Sequence, residues 1–215
     1  MNNARNPAPS PKVSVIVVTH PQYQPLLETA LQSLRQQQSS DFEVIVEHNE
    51  DRTLSKACND AISRSHGKYI VRIDADDWID PQLLYLEANH LDSSPQVDCV
   101  WCDYWKTYPQ KGEGFETHYL EYHQNQDLEH ACGAMYRKEV WELLGGYDED
   151  LKYQESFDFW LRFRKAGFTS ERIDQPLYYY RQHPGSMSTN VEEREKTRQR
   201  ILEKHDHSRH TRHNS

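Results

Sequence analysis

Apolar residues recur along this chain in two rhythms. Residues 13–18 (VSVIVV) form an almost unbroken β-branched run, the mark of a strand buried on both faces. Over residues 22–37, Leu26, Leu27, Ala30, Leu31 and Leu34 repeat at helical spacing. Residues 42–46 (FEVIV) predict a second buried strand. Residues 53–65 place Leu54, Ala57, Ala61 and Ile62 on one side of a helix, and Gly67 stands where a C-terminal glycine closes one. Residues 68–73 (KYIVRI) predict a third strand. Asp80 as N-cap and Pro81 in the first turn then open a helix over PQLLYLEANHL. Strands alternating with helices at this spacing predict βαβ units. The fold class is α/β, a mostly parallel central sheet with helices on both faces.

The second half is less regular. Residues 97–109 predict a long aromatic strand that turns at QKGEG. Residues 131–151 read as a short strand, a helix from about Arg137 and a stop at Gly145-Gly146. Residues 155–167 form an amphipathic helix ended by Gly167. Residues 175–188 are a strand running into a loop. Asn190 with Glu193 forms a capping box for a charged helix to about Glu203. The expected division is a disordered Pro/Asn-rich leader (1–11), one α/β domain (12–188), a charged helix (189–204) and a disordered His-rich tail (205–215). The four histidines of that tail are compositional and carry no functional reading.

Composition narrows the class. Of 215 residues, 36% are hydrophobic, enough for one core, while a mean hydropathy of −0.98 requires a very polar surface. No run approaches the ~20 apolar residues that span a bilayer, and the first residues lack the apolar stretch of a secretory signal. The expectation is a cytoplasmic protein, at most peripheral to the inner face of the membrane. A net charge of −9 opposes broad nucleic-acid binding, but a metal and a few arginines still permit a phosphate ligand. The cysteines are Cys58, Cys99, Cys102 and Cys132. Cys99 and Cys102 share a C-x-x-C spacing but have no second pair, and they sit in a strand pattern. They read as buried structural thiols.

Ligands of such sheets bind beyond the carboxyl ends of the strands. Three segments fall there: Val18-Thr19-His20, Glu47-His48-Asn49 and Asp74-Ala75-Asp76-Asp77. With Asp80, the last of these packs four carboxylates into seven residues. On a strand, Asp74 and Asp76 point the same way, roughly 6.6 Å apart. Paired carboxylates at a strand end make a hard, oxygen-rich site for Mg²⁺ or Mn²⁺. Asp80 reads as a helix cap.

Taken in order, VSVIVVTH, FEVIVEHNED, LSKACNDAISRSHGKYIVRIDADDWIDP and YYYRQHPGSMS resemble the inverting family 2 glycosyltransferases, of GT-A fold, over residues 12–188. That resemblance implies an enzyme of hexosyltransferase type. It would move a sugar from a nucleoside-diphosphate donor to the hydroxyl of a saccharide or lipid-linked saccharide, of glycan or cell-surface polysaccharide type. It implies that Thr19 and His20 line the base pocket. The aspartate that usually holds uracil is replaced in His48-Asn49-Glu50-Asp51, where Glu47 or Asn49 is the substitute. Asn59 matches a family asparagine, with Lys56 a nearby cation. Asp74, Ala75 and Asp76 form the DXD motif, Asp74 towards ribose or metal and Asp76 on the metal, with Asp77 supporting. His183 completes the metal site and favours Mn²⁺, and Arg181 faces the diphosphate. Cys132-Gly133-Ala134-Met135 resembles a small-residue segment beside the acceptor. Trp101, Tyr104, Trp105, Tyr108 and Tyr119 read either as an acceptor platform or as core.

Inversion needs a general base. The family carries it at the start of a helix, where this chain has Glu155-Ser156-Phe157-Asp158, and the usual base position is Ser156. Serine at its ordinary pKa is no base. Glu155 is the preferred substitute. Asp158, one turn on, is more plausibly paired with an arginine. A GT-A-like module that binds without transferring is the alternative, and an aspartate-nucleophile phosphatase using Asp74 is a third class.

Overall fold

The computed structural model describes residues 10–111, 116–125, 133–183, 186 and 189–211, with side chains except those of 109–119 and 207–211. In chain order the strands and helices are β1 (Val13–Thr19), α1 (Gln24–Arg35), β2 (Phe42–His48), α2 (Leu54–Ser63), β3 (Tyr69–Asp74), β4 (Trp78–Ile79), α3 (Leu83–Ser93), β5 (Cys99–Lys111), β6 (Glu116–His123), β7 (Met135–Arg137), α4 (Lys138–Leu144), α5 (Glu155–Ala166), β8 (Ser170–Arg181) and α6 (Val191–Thr211). The sheet runs β2-β1-β3-β7-β5-β8-β4, and β6 pairs with β5. β2, β1 and β3 are parallel, as expected. Beyond them the sheet is mixed: β7 is antiparallel to β3 and β5, and β4 to β8.

The sheet divides two cores. On one face Val15, Val17, Val71 and Ile73 meet Leu27 and Leu34 of α1 and Leu83, Leu84 and Leu91 of α3. On the other, Ile16, Val18 and Ile70 meet Ala57, Ala61 and Ile62 of α2 and Phe159, Trp160 and Phe163 of α5. Each fully buried Ile, Leu or Phe adds about 1.5–3 kcal/mol. Cys99 belongs to one core and Cys102 to the other, so the sheet itself separates these thiols. Cys58, Cys99 and Cys102 are buried thiols outside any disulfide among the described residues, whereas Cys132 lies outside the described residues.

Several local expectations change. β2 reads as buried on both faces, yet it is the edge strand and Val44 is exposed. A β-branched run alone does not report a missing neighbour. Asp80 caps a turn ahead of α3, its Oδ1 accepting from Gln82 N at 2.9 Å, and the N-cap of α3 is Gln82. The tail expected to be disordered from residue 205 is helical to Thr211, and its first residue, His205, meets Asp158 of α5. β4 and β6 have no counterpart in the sequence reading.

Gly67 does not close α2, whose C-cap is Arg64. Instead β1 passes directly over it. A Cβ there would lie 2.4 Å from Ser14 N and 2.7 Å from Val13 C, both backbone atoms that cannot swing aside. Gly67→Ala is expected to cost about 1–3 kcal/mol through overpacking, read as a lower urea midpoint with unchanged slope.

Candidate active site

The register Val18↔Asp74 and Thr19↔His48 brings the carboxyl ends of β1, β2 and β3 to one level. A cleft of about 300 Å³ opens there. It is lined among others by Thr19, His20, Tyr23, Asn49, Arg72, Asp74, Ala75, Asp76, Glu155 and Arg194. Thr19 is 1% exposed, and its hydroxyl has no hydrogen-bond partner among the described residues.

The chain turns at the tip of β3, with Asp77 N donating to Asp74 O at 3.0 Å. Asp77 faces inward, accepting from Arg181 N and from the Tyr178 hydroxyl at 2.8 Å each. Burial, with Asp76 and Asp74 adding repulsion, holds its carboxyl well above the usual range. Its role is to anchor the turn to β8. Asp76 faces the cleft and its Oδ2 lies 2.9 Å from His183 Nε2. The Tyr23 ring packs edge-on against His183, centroids 5.7 Å apart.

Arg72 shares a face of β3 with Asp74. Its Nε lies 3.3 Å from Asp74 Oδ1, and its NH1 lies 2.9 Å from Glu155 Oε1. A cation inside an apolar strand persists only when paired, and here it joins two elements. Asp74 sits deep yet opens to cleft water, its side chain 40% exposed. Burial raises its carboxyl, Arg72 opposes that, and Asp76 and Glu155 add to it. Glu155 is 7% exposed and begins α5. It follows Gln154, whose φ of 63° is left-handed without glycine.

Of the residues singled out from the sequence, Thr19, His20, Asn49, Asp74, Ala75, Asp76 and Glu155 line this cleft, and His183 meets Asp76 beside it. Others lie elsewhere. Glu47 is held by Arg52 at 2.6 Å and by Arg64, and His48 is exposed. Lys56 pairs with Asp60 at 2.7 Å. Asn59 spends its carboxamide on Tyr147 N and O, Trp141 Nε1 and Glu149. Asp158 is buried between Arg162 (2.7 Å) and His205 (3.0 Å) and is not among the residues that line the cleft. Arg181 is 3% exposed, its Nε donating to Asp76 O at 2.7 Å and its guanidinium stacked 4.8 Å from the Trp78 ring. Trp101, Tyr104, Trp105 and Tyr108 lie on β5 outside the cleft lining, and the side chain of Tyr119 is outside the described ones.

Sequence reasoning missed Arg72, Tyr23 and Arg194. Arg72 had a signal, a lone charge in an otherwise apolar strand two residues before Asp74. Tyr23 and Arg194 had none, since neither belongs to a patterned element end.

The sheet order, flanking helices and cleft at the strand ends define a GT-A fold. Superposed on S. aureus TarS 1–349 in complex with UDP-GlcNAc, the chain gives a TM-score of 0.65 at 17% identity, covering 84% of this chain and 61% of that one. With the mannosyltransferase PcManGT of Pyrobaculum calidifontis, in complex with GDP-Man and Mn²⁺, the TM-score is 0.58 at 19% identity, covering 81% and 58%. The sequence profile described as Glycosyl transferase family 2 matches residues 45–144. The chain is 25% identical to the putative glycosyltransferase EpsH of Bacillus subtilis, over 83% of its own length and 63% of that protein's. It is 23% identical to the uncharacterized glycosyltransferase MJ1057 of Methanocaldococcus jannaschii, over 80% and 71%. Over residues 45–144 the chain is similar to the family 2 glycosyltransferases, and it spans about 63% of the length of EpsH. Among the described residues no helix is long and apolar enough to cross a membrane.

Proposed function

We propose that this chain transfers a sugar from a nucleoside-diphosphate donor to a hydroxyl acceptor, with inversion and with a divalent cation. The observation that carries the reading is that Asp76, paired with His183, and Glu155 line one cleft at the strand ends. TarS forms a complex with UDP-GlcNAc and PcManGT one with GDP-Man and Mn²⁺, which supports a nucleotide-sugar donor here.

The cation's fit can be judged from the donor atoms. Asp76 Oδ2 and His183 Nε2 are 2.9 Å apart, close to the spacing of neighbouring ligands at ~2.1 Å from one octahedral ion. Among the described residues no third His, Cys, Asp or Glu joins them as a ready-made cage. That suits an ion whose remaining positions go to water and diphosphate. Asp76 and His183 would hold it, with Asp74 nearby, and it would neutralise charge on the departing diphosphate.

The chain's own residues do the rest. Glu155 takes the proton of the acceptor hydroxyl while that oxygen bonds the anomeric carbon, and the bond to the diphosphate breaks on the opposite side. Arg72 and the Ser156 hydroxyl both donate to Glu155 Oε1, at 2.9 and 3.3 Å. Oε2 is left to receive the proton. Ser156 is thus a support for the neighbouring carboxylate. Thr19 and Asn49 offer neutral hydrogen-bonding groups to a nucleobase from the cleft wall.

A thermal-shift panel of nucleoside diphosphates with and without Mn²⁺ tests this. A specific ligand at a hundredfold excess over Kd adds about 2.7 kcal/mol, or ~5–10 °C for a chain of this size. Asp76→Ala, like chelation by EDTA, is expected to abolish the Mn²⁺-dependent part of the shift. An Asp76→Ala protein that still responds to Mn²⁺ removes Asp76 from the metal site.

A further inference from the structure

The cleft has an unsettled charge balance. Its lining carries three carboxylates, Asp74, Asp76 and Glu155, and two arginines, Arg72 and Arg194. Arg72 is shared between Asp74 and Glu155. Arg181, the sequence-level candidate for a diphosphate, lies buried under the acidic turn. A diphosphate adds negative charge to this lining, and a divalent cation at Asp76 and His183 would offset it only in part, since that ion also meets the cleft's excess of carboxylates. Arg194 is the other arginine on the wall.

Arg194 comes from the first turn of α6, outside the residues that match the family profile. The helix is fastened to the catalytic turn on both sides of Glu155. The Gln154 amide donates to Arg194 O at 3.5 Å. The Arg198 guanidinium lies 3.9 Å over the ring of Phe157, itself a lining residue. Further along, His205 meets Asp158 at 3.0 Å and Lys204 meets Asp148 at 2.7 Å, while Thr197 and Ile201 are buried. A non-glycine residue in the left-handed region persists only where its surroundings impose it, and α6 is part of what surrounds Gln154.

We propose that α6 is a wall of the donor site and that Arg194 binds the donor's diphosphate. The planar guanidinium fits phosphate oxygens two at a time. The inference rests on the reading of the cleft as a nucleotide-sugar site and names the residue that receives the charged part of that donor.

The test is calorimetry on the full chain with Mn²⁺, using inorganic pyrophosphate, UDP and GDP as probes. Arg194→Ala and Arg194→Gln are expected to weaken pyrophosphate and the preferred nucleotide about ten- to hundredfold, the loss of a charge-assisted hydrogen bond. Arg194→Lys keeps part of the affinity. The variants should also lose affinity less steeply as salt rises, a change that a merely structural role for Arg194 does not produce. Unfolding temperatures equal to the parent's keep the comparison clean, and Arg194→Gln preserves the side chain's length should Arg194→Ala unfold. If the parent binds and both variants bind pyrophosphate equally tightly, Arg194 is not the diphosphate residue. If the parent binds none of the probes, the donor reading falls and this inference with it.

Discussion

Glu155→Gln is expected to leave donor binding near the parent's and to slow sugar transfer by about 10²–10⁴-fold, the usual contribution of a positioned general base. Glutamine keeps the shape, and its Oε1 can still accept from Arg72, whose NH1 lies 2.9 Å from Glu155 Oε1. What disappears is the group that takes the proton. Donor affinity by calorimetry and single-turnover transfer measured side by side separate the two effects. Normal turnover would clear Glu155 and return the question to Ser156, whose hydroxyl is 3.3 Å away. A parent that binds the donor but transfers nothing, with any of several saccharide acceptors, would support the binding-module alternative instead.

Arg72→Met carries the largest expected loss of stability. The guanidinium is 17% exposed and neutralises Glu155, 9% exposed, and Asp74, 40% exposed. Removing one partner of a buried ion pair costs about 3–5 kcal/mol, because the other charge is left uncompensated. The lower end applies, since Asp74 keeps contact with cleft water. About 3 kcal/mol lowers the unfolding temperature by roughly 6–12 °C for a chain of this size. Adding Glu155→Gln to Arg72→Met should recover part of the loss, because the orphaned carboxylate is gone. Equal stabilities for parent and Arg72→Met would mean that the pair contributes nothing net.

The readable part of the site was the part written along strands. β1, β2 and β3 carry their pattern in consecutive residues, and parallel pairing places their ends together. Thr19, Asn49, Asp74 and Asp76 follow from that rule, and all line the cleft. Residues placed by position relative to a helix fared worse. Lys56 and Asn59 lie on α2 near those ends, but Lys56 pairs with Asp60 and Asn59 is consumed by Tyr147 and Glu149. Arg181 follows an aromatic run on β8, and its own strand turns it beneath the turn formed by residues 74–77.

What the amino-acid order determined by itself was local: the periods of 2 and 3.6, the stops at Gly145 and Gly167, and the carboxylates at a strand tip. These depend on neighbours within a few positions. Tertiary structure alone decided which charges meet. Arg72 reaches Glu155 across 83 positions and His183 reaches Asp76 across 107. Likewise α6 reads as an appendage by composition, yet it lies against the turn that bears Glu155. Electrostatic pairing acts through space over a few ångströms, so which cation neutralises which carboxylate follows from packing and has no periodic trace in the chain.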